Sequence, residues 1–455
     1  MASATTVGSE TVAPSRRNFC CTASALLLSR CGLLRAASLA AQAQPSRPAT
    51  ATRPDVAAID RDRILAAAAR YLTQPPTSLT SLPCARSPGS PHDYYSEAEP
   101  SALAEGEPNA GASAPAGPGP KAGPSSTAPA GSSSKPGASS TPPPFTAHRD
   151  ALFTLGLAVP ALAAAYLLTG DERYAEQAAL WLRAWFVDPA TRMTPRLDYG
   201  QVVPGQPASG SFAGILETLP LVEVAQSIPF LAAALTPSDR LALQAWFAAY
   251  LRWLTGTEDS GPRLSALARD RKDHHGTSWL LQASAYTLLT APAGDRPISE
   301  TTALDELRHR FRTVTLRAQI AADGSFPHEL TSPTPYRDSL FNLDMMAAVC
   351  QLLSTRFESL WDYQLDDGPG MRSAIAFHFP FIADRTLWPF RADAEHFDQL
   401  PARRASLLFS ARAYRRTEYA ALWKTLPPDP PAPGILRTLP IHQPLLWVRQ
   451  PAPLS

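Results

Sequence analysis

The chain has almost no net charge: 41 Lys and Arg face 40 Asp and Glu, a balance of +1, so no basic field argues for a nucleic-acid partner. Cysteine is nearly missing. Three of the five, Cys20, Cys21 and Cys31, lie close to the N-terminus, and no metal-ligand spacing joins the remaining Cys84 and Cys350. The helical pattern around Cys350 marks it as a buried, unpaired thiol in preference to half of a disulfide. Past the N-terminal region no stretch reaches the roughly 18 uninterrupted apolar residues of a membrane span. Strand signals are almost absent beyond Phe145. Glycine is scarce against proline, 24 to 47, and much of the proline falls in one region instead of being spread over turns.

What is present begins with a leader. Ser15, Arg16, Arg17, Asn18 and Phe19 precede a weakly apolar run, and Ala41, Gln42 and Ala43 supply small residues at a cleavage point. This pattern predicts a twin-arginine signal over 1–43 and export to the periplasm or beyond. A helix and lead-in follow over 44–84. Within 85–144, the stretch from about Ser101 is almost wholly Ala, Gly, Ser and Pro. Such a composition buries too little surface to offset its ordering entropy, so it reads as a flexible insertion and not a domain.

From 145 to 455 the apolar period is helical. The segment RDALFTLGLAVPALAAAYLLTGDERYAEQAALWLRAWFVD reads as two helices broken at Gly170, with Pro160 kinking or restarting the first. In the second, Tyr174, Ala178, Trp181 and Trp185 share one face, the two tryptophans as core. Further helices are expected at 212–235, 238–256, 276–290, 302–321, 338–355 and 403–425. AAYLLTGDERYAEQAALW (164–181) is matched by RAYRRTEYAALW (412–423), and SAYTLLTAPAGD (284–295) repeats part of it. Copies that close one helix and open the next suit stacked antiparallel pairs, and an all-α, (α/α) toroid is their natural closed form.

In a toroid the loops at one end converge, which draws weight to three polar clusters. RKDHHGTSW (271–279) puts His274 and His275 ahead of an apolar run. ADGSFPHELTSPTPYRDSLFNLD (322–344) is dense in turn residues yet carries His328, Glu329, Tyr336, Arg337, Asp338 and Asp344. RLDYGQVVPGQPASGSFAGILE (196–217) places Tyr199 and Gln201 in a Gly/Pro-rich loop. Read for packing alone, His275 caps a helix, the tyrosines are half-buried, and Glu329 and Asp344 cap helices or pair with arginines. No His-x-x-x-His spacing appears, and adjacent histidines are expected to diverge, so Asp273, His274, His275 and His328 make a poor metal set.

Together with HRDALF (148–153), WFVDPATRM (185–193) and LPIHQPLLWV (439–448), these segments resemble the alginate lyase superfamily of polysaccharide lyases from about Arg86 to the end, apart from the insertion. The family's Asn-Asn-His-Gly element is Asp273-His274-His275-Gly276 here, so His275 matches the histidine associated with catalysis and both carboxamides are replaced. Downstream, Glu329, Pro335, Tyr336, Ser339, Phe341, Asn342, Leu343 and Asp344 agree with the family. Ser332 stands where the family has an arginine, and Asp338 where it has a tyrosine. The resemblance implies cleavage of a uronic-acid polymer, alginate- or glucuronan-like, by β-elimination.

That reaction removes the proton alpha to a carboxylate and expels the C4 oxygen. The carboxylate needs neutralising donors, each worth on the order of 3 kcal/mol. Base and acid, often His and Tyr, contribute roughly 100 to 10,000-fold each. The resemblance therefore assigns His275, Tyr336 and Tyr199 to catalysis and Asp273, His274, Gln201, Glu329, Arg337 and Asp338 to substrate binding, with no metal or cofactor. Arg271, Lys272 and Arg337 are candidate replacements for the lost arginine. Two other classes stay open: a carbohydrate-binding pseudoenzyme, suggested by the substituted positions, and a hydrolase using Glu329 and Asp338 as paired carboxylates.

Overall fold

The computed structural model describes residues 53–99, 142–203, 209–256, 263–291, 298–366, 368–430 and 432–449. The expected leader and nearly all of the Ala/Gly/Ser/Pro-rich insertion lie outside them. The longer helices are α1 (Arg61–Tyr71), α2 (Ala147–Thr169), α3 (Glu172–Leu182), α4 (Leu221–Ser227), α5 (Pro237–Thr255), α6 (Arg263–Arg269), α7 (His274–Thr290), α8 (Ile298–Arg310), α9 (Pro335–Leu353), α10 (Met371–Ala383), α11 (Ala405–Tyr414), α12 (Thr417–Thr425) and α13 (Pro444–Val448). Successive helices pair as hairpins, α2 with α3 and α11 with α12. Across the ring α7 packs against α5 and α9, and α9 against α11. The result is an (α/α) toroid, as the repeat pattern predicts.

The two clearest sequence copies fold alike. Gly170 ends α2 in the left-handed region, φ 70°, and Arg415 ends α11 there at φ 54°. Each hairpin then returns a tryptophan to the core, Trp181 and Trp423, both with no exposed surface. The third copy runs past the described residues after 291. Trp185 is equally buried, in a wide π turn (Arg183–Val187) that extends α3.

Several expectations are corrected. The single helix expected at 212–235 is three pieces: a 3-10 turn at Phe212–Leu216, α4, and another 3-10 stretch at Ile228–Ala234. Pro220 and Pro229 lack the N–H that a continuous helix needs there. The helix expected at 403–425 divides at Arg415. Conversely α2 runs through Pro160 without ending, and Gly156 one turn earlier is pressed so closely on Pro220 that a Cβ would sit 2.3 Å from the proline's. By length and composition α2 could cross a membrane, yet 67% of its apolar window is buried inside the protein, which makes it a core helix.

Two short strands, β1 (Tyr95–Glu97) and β2 (Tyr199–Val202), form a parallel pair that the sequence pattern did not announce. They carry Tyr199 and Gln201, so these residues lie on a strand and not in a free loop. Gln201 adopts φ 53°, and its N–H donates to Ser96 Oγ at 2.8 Å. Cys84 and Cys350 are both free, the second buried.

Candidate active site

The start of α7 is built around Asp273. Its backbone is extended, and its Oδ1 accepts both the N–H and the ring Nδ1 of His275 at 3.0 Å. Its Oδ2 takes Nε and Nη2 of Arg271 at 3.0 and 2.8 Å. One carboxylate thus caps the helix, fixes an imidazole and anchors a guanidinium. Gly276 completes the turn for a steric reason: a Cβ there would lie 2.2 Å from the Arg271 carbonyl oxygen.

His274, one residue earlier, turns to Glu329, the first residue of a 3-10 turn at Glu329–Thr331. Its N–H donates to Glu329 Oε1 at 2.7 Å and its Nδ1 meets Oε2 at 2.8 Å. Pulled by carboxylates on either side, the two rings do not diverge as adjacent residues ordinarily would; their centroids lie 4.3 Å apart with 30° between planes. Phe341 flanks His274, and Phe212 flanks His275 at 5.0 Å. The Arg271 guanidinium covers the same Phe212 ring at 4.7 Å. The side chains of His274 and His275 retain 12% and 10% of their surface, so the pair is mostly, not wholly, enclosed.

A carboxylate can only accept, so both Nδ1 atoms carry hydrogen. The Nε2 atoms then decide charge, and neither has a hydrogen-bond partner among the described residues. For His274, burial works against the cation, but the Glu329 carboxylate outweighs it and pushes the ring up to about 10. For His275, burial and the charge on His274 push it down to about 4 against the pull of Asp273. Asp273 itself resists burial and is held far below the usual carboxylate range by its bond to His275, by the charges of both histidines and by Arg271. At neutral pH the site therefore holds a cationic and a neutral imidazole side by side.

Asp338, at the position of the family's tyrosine, lies under this pair. Its Oδ2 accepts the hydroxyls of Ser332 at 2.6 Å and Thr334 at 2.9 Å, and its Oδ1 takes Arg337 Nε at 3.0 Å. The two substituted positions, Ser332 and Asp338, are thus bonded to each other. Ligand atoms of His274, Glu329 and Asp338 lie within 4.8 Å of one another, a set that a metal would fit by distance. Each oxygen of Glu329 and Asp338 already accepts at least one hydrogen bond, whereas His274 Nε2 has no partner among the described residues. Glu329 and Asp338 are also buried beneath their own partners, which leaves neither free to flank a glycosidic bond as a hydrolase requires.

The third cluster reaches His275 through Phe212. Ser211 N–H donates to the Gly200 carbonyl and Gly210 N–H to that of Asp198, both at 2.8 Å, which ties the Tyr199 strand to the Phe212 turn. Tyr199 is half-buried. Behind it lies a network that the sequence did not flag: Glu217 accepts Tyr94 Oη at 3.0 Å and Ser96 Oγ at 2.5 Å. Burial raises Glu217 above the ordinary carboxylate range, and a hydrogen bond from the Gln201 side chain is among the contacts opposing it. Gln201 is thereby committed to Glu217. Within GILETLP this glutamate carries no motif, and only tertiary contact shows it.

Tyr336 does not join the histidines. It is fully buried, its hydroxyl donates to the Phe381 carbonyl at 2.9 Å, and its ring packs edge-on against Trp388 and Phe397. As the second residue of α9 it turns inward, and its N–H and that of Arg337 are capped by Asp393 at 2.8 and 3.0 Å. Asp344 takes the capping role expected of it: it accepts Ser406 N–H at the start of α11 and pairs with the buried Arg404. A separate open pocket of about 500 Å³ is lined by His92, Arg192, Thr194 and Trp246 among others, none of them from the histidine cluster.

No curated protein matches the chain. Among solved structures it is similar to an alginate lyase from Bacteroides ovatus, with 23% identity over 86% of this chain and 94% of that one and a TM-score of 0.64, a likeness of fold. Alginate lyase A1-III from Sphingomonas species A1 is 16% identical over 88% and 96% of the two chains, with a TM-score of 0.45. A family model described as alginate lyase matches residues 78–388. That span is more than half of the sequence and contains both histidines, their carboxylates and the Phe212 turn; the chain belongs to the alginate lyase family of polysaccharide lyases.

Proposed function

We propose that the protein cleaves a 4-linked uronic-acid polymer, alginate- or glucuronan-like, by β-elimination, with His275 as the base. The observation that carries this reading is the geometry of His275: Nδ1 is pinned to Asp273, Nε2 has no hydrogen-bond partner among the described residues, and solvent reaches one edge of the ring, while burial and the charge on His274 favour its neutral form. A lone pair held in one direction in a site that excludes most water is what proton abstraction from C5 needs. Arg271 contacts the same Phe212 ring as His275 and supplies the cation for the substrate carboxylate, in place of the family arginine that is Ser332 here. Tyr199, on the strand bonded to the Phe212 turn, is assigned to sugar contact, and Gln201 and Glu217 hold that strand in place.

The test is a panel of purified polymers rich in mannuronate, guluronate or glucuronate, read by ultraviolet absorbance of the unsaturated product and by mass. The reading expects products with a double bond from at least one polymer, and none from His275→Ala. Products heavier by one water would place the chain among hydrolases. Binding without turnover by the unaltered protein would favour the pseudoenzyme, the second reading, whose support is the pair of substituted positions now bonded to each other.

The Arg16-Arg17 leader supports the further proposal that the protein works outside the cytoplasm. Replacing both arginines by lysine should leave the full-length chain inside the cell, and unchanged export of that variant would overturn the assignment.

A further inference from the structure

The family's proton-donating tyrosine is missing at 338, and the nearest tyrosine in sequence, Tyr336, spends its hydroxyl on the Phe381 carbonyl in the core. A β-elimination in water-poor surroundings still needs an acid for the leaving oxygen, because an alkoxide expelled without a proton is a poor leaving group. Tyr94, Tyr250 and Tyr286 are sealed in the interior as well, and the ring of Tyr199 lies against Gly89, with Phe212 and not Tyr199 beside His275. That leaves the charged groups beside His275 as donors.

The geometry points to His274 as that acid: with Nδ1 held by Glu329 and its ring beside that of His275, centroids 4.3 Å apart, it presents Nε2–H beside the base and protonates the departing C4 oxygen. This assignment rests on the lyase reading above. Three observations converge on it. Glu329 accepts from His274 twice, through the backbone and through the ring, which fixes the ring's orientation as firmly as Asp273 fixes that of His275. Asp338, the residue that displaced the tyrosine, is itself close to His274 and adds negative charge there. The pair is split, one imidazole held charged and the other neutral, and two titratable groups pushed apart by their surroundings are the signature of an acid and a base that divide the work.

In the step itself, the His275 Nε2 lone pair takes the C5 proton and the C5–H electrons become the C4–C5 double bond. The C4–O bond breaks, and its electron pair takes the proton from His274 Nε2. His275 ends charged and His274 neutral, the reverse of the resting state. Loss of a proton from His275 and gain of one by His274 restores the site downhill, because Glu329 favours the cation at 274. No oxidant, metal or co-reactant enters the balance.

The experiment compares two leaving groups. On a uronate carrying a sugar at O4, His274→Gln and His274→Asn should lower kcat by about 100 to 10,000-fold. On a uronate carrying 4-nitrophenolate at C4, which departs without a proton, both variants should retain the rate to within about 10-fold, whereas His275→Ala loses both reactions. Equal losses on the two substrates by folded variants would assign His274 to carboxylate neutralisation and overturn the proposal, and so would an unchanged rate on the sugar substrate. Circular dichroism establishes folding first. Should neither variant fold, the unaltered enzyme gives the answer: a shallow dependence of kcat/KM on leaving-group basicity supports His274 and a steep one excludes any acid. If the unaltered protein eliminates neither leaving group, the lyase reading itself has failed, which is a different outcome.

Discussion

Two regions of this molecule bury a glutamate next to a histidine, and they come to opposite ends. At the start of α7, Glu329 accepts from the backbone and the ring of His274, a second imidazole lies alongside, and both rings keep a little surface. On α4, Glu223 accepts the backbone N–H of His442 at 2.7 Å and of Gln443 at 2.9 Å, with Trp447 Nε1 at 3.0 Å. There the histidine gives the carboxylate only its backbone N–H. Arg63 completes the clasp by donating to the His442 carbonyl and to Gln443 Oε1. The second region fastens the C-terminal α13 to the core, and the first keeps protons in reach of solvent. Residue type alone does not separate a clasp from a catalyst. What separates them is whether the ring or the backbone makes the bond, and whether the neighbouring charge is a second imidazole, able to exchange a proton, or an arginine that keeps its own.

Substitutions can break this comparison from either side. The largest effect is expected from Asp273→Asn. Asparagine still caps α7, but it loses the charge that stabilises a protonated His275 and admits the wrong tautomer, so kcat of the folded variant should fall by up to about 10,000-fold; the melting temperature should fall as well, because a carboxylate held far below its ordinary range contributes stability at neutral pH that asparagine lacks. A fall of less than tenfold in steady-state kinetics would mean that His275 does not depend on its orienting carboxylate.

Glu223→Ala should do the converse. Three buried donors lose their acceptor, a loss of about 4 kcal/mol in stability measured by denaturant titration, while kcat of the folded fraction stays the same. A matching loss of activity would tie the clasp to the site and erase the distinction drawn here.

The pH dependence sharpens it. Burial raises Glu223 from 4.5 to about 7, against the three donors and Arg63. A carboxyl with a raised folded value binds its proton more tightly when folded, so its contribution is complete below 4.5 and is lost as pH rises through about 7. Relative to Glu223→Gln, the unaltered protein should lose about 3 kcal/mol across that window. Stability differences that stay flat with pH would show Glu223 to be ionised throughout.

The smallest effect is expected from Tyr336→Phe, which removes one buried hydrogen bond and should cost about 1 kcal/mol with kcat unchanged. A hundredfold drop in kcat would restore Tyr336 as the acid and displace His274.

How much of this was legible in the sequence follows from where each signal resides. Gly170, the Trp181 and Trp185 face and the hairpin copies are local patterns, and they specify the toroid because helical period and helix ends are written in neighbouring residues. The interruptions at 220 and 415 escape that logic in part: the prolines were visible, but a left-handed arginine is selected by the hairpin it must close. The polar clusters were found, and the resemblance assigned their roles, yet the direction of each side chain was not readable. His274 turns toward Glu329, 55 residues away in the chain, and Tyr336 turns into the core toward Phe381, 45 residues away. Glu217 and Asp393 went unnoticed because an acidic residue in an apolar segment shows its partners only in three dimensions.

Nitrogen-15 NMR of the imidazole rings at neutral pH tests the central claim most directly, with His274→Gln and His275→Ala spectra to assign the signals. The account predicts one ring with both nitrogens protonated, belonging to His274, and one with hydrogen on Nδ1 and a lone pair on Nε2, belonging to His275. Two neutral rings, or a cation at His275, would contradict it.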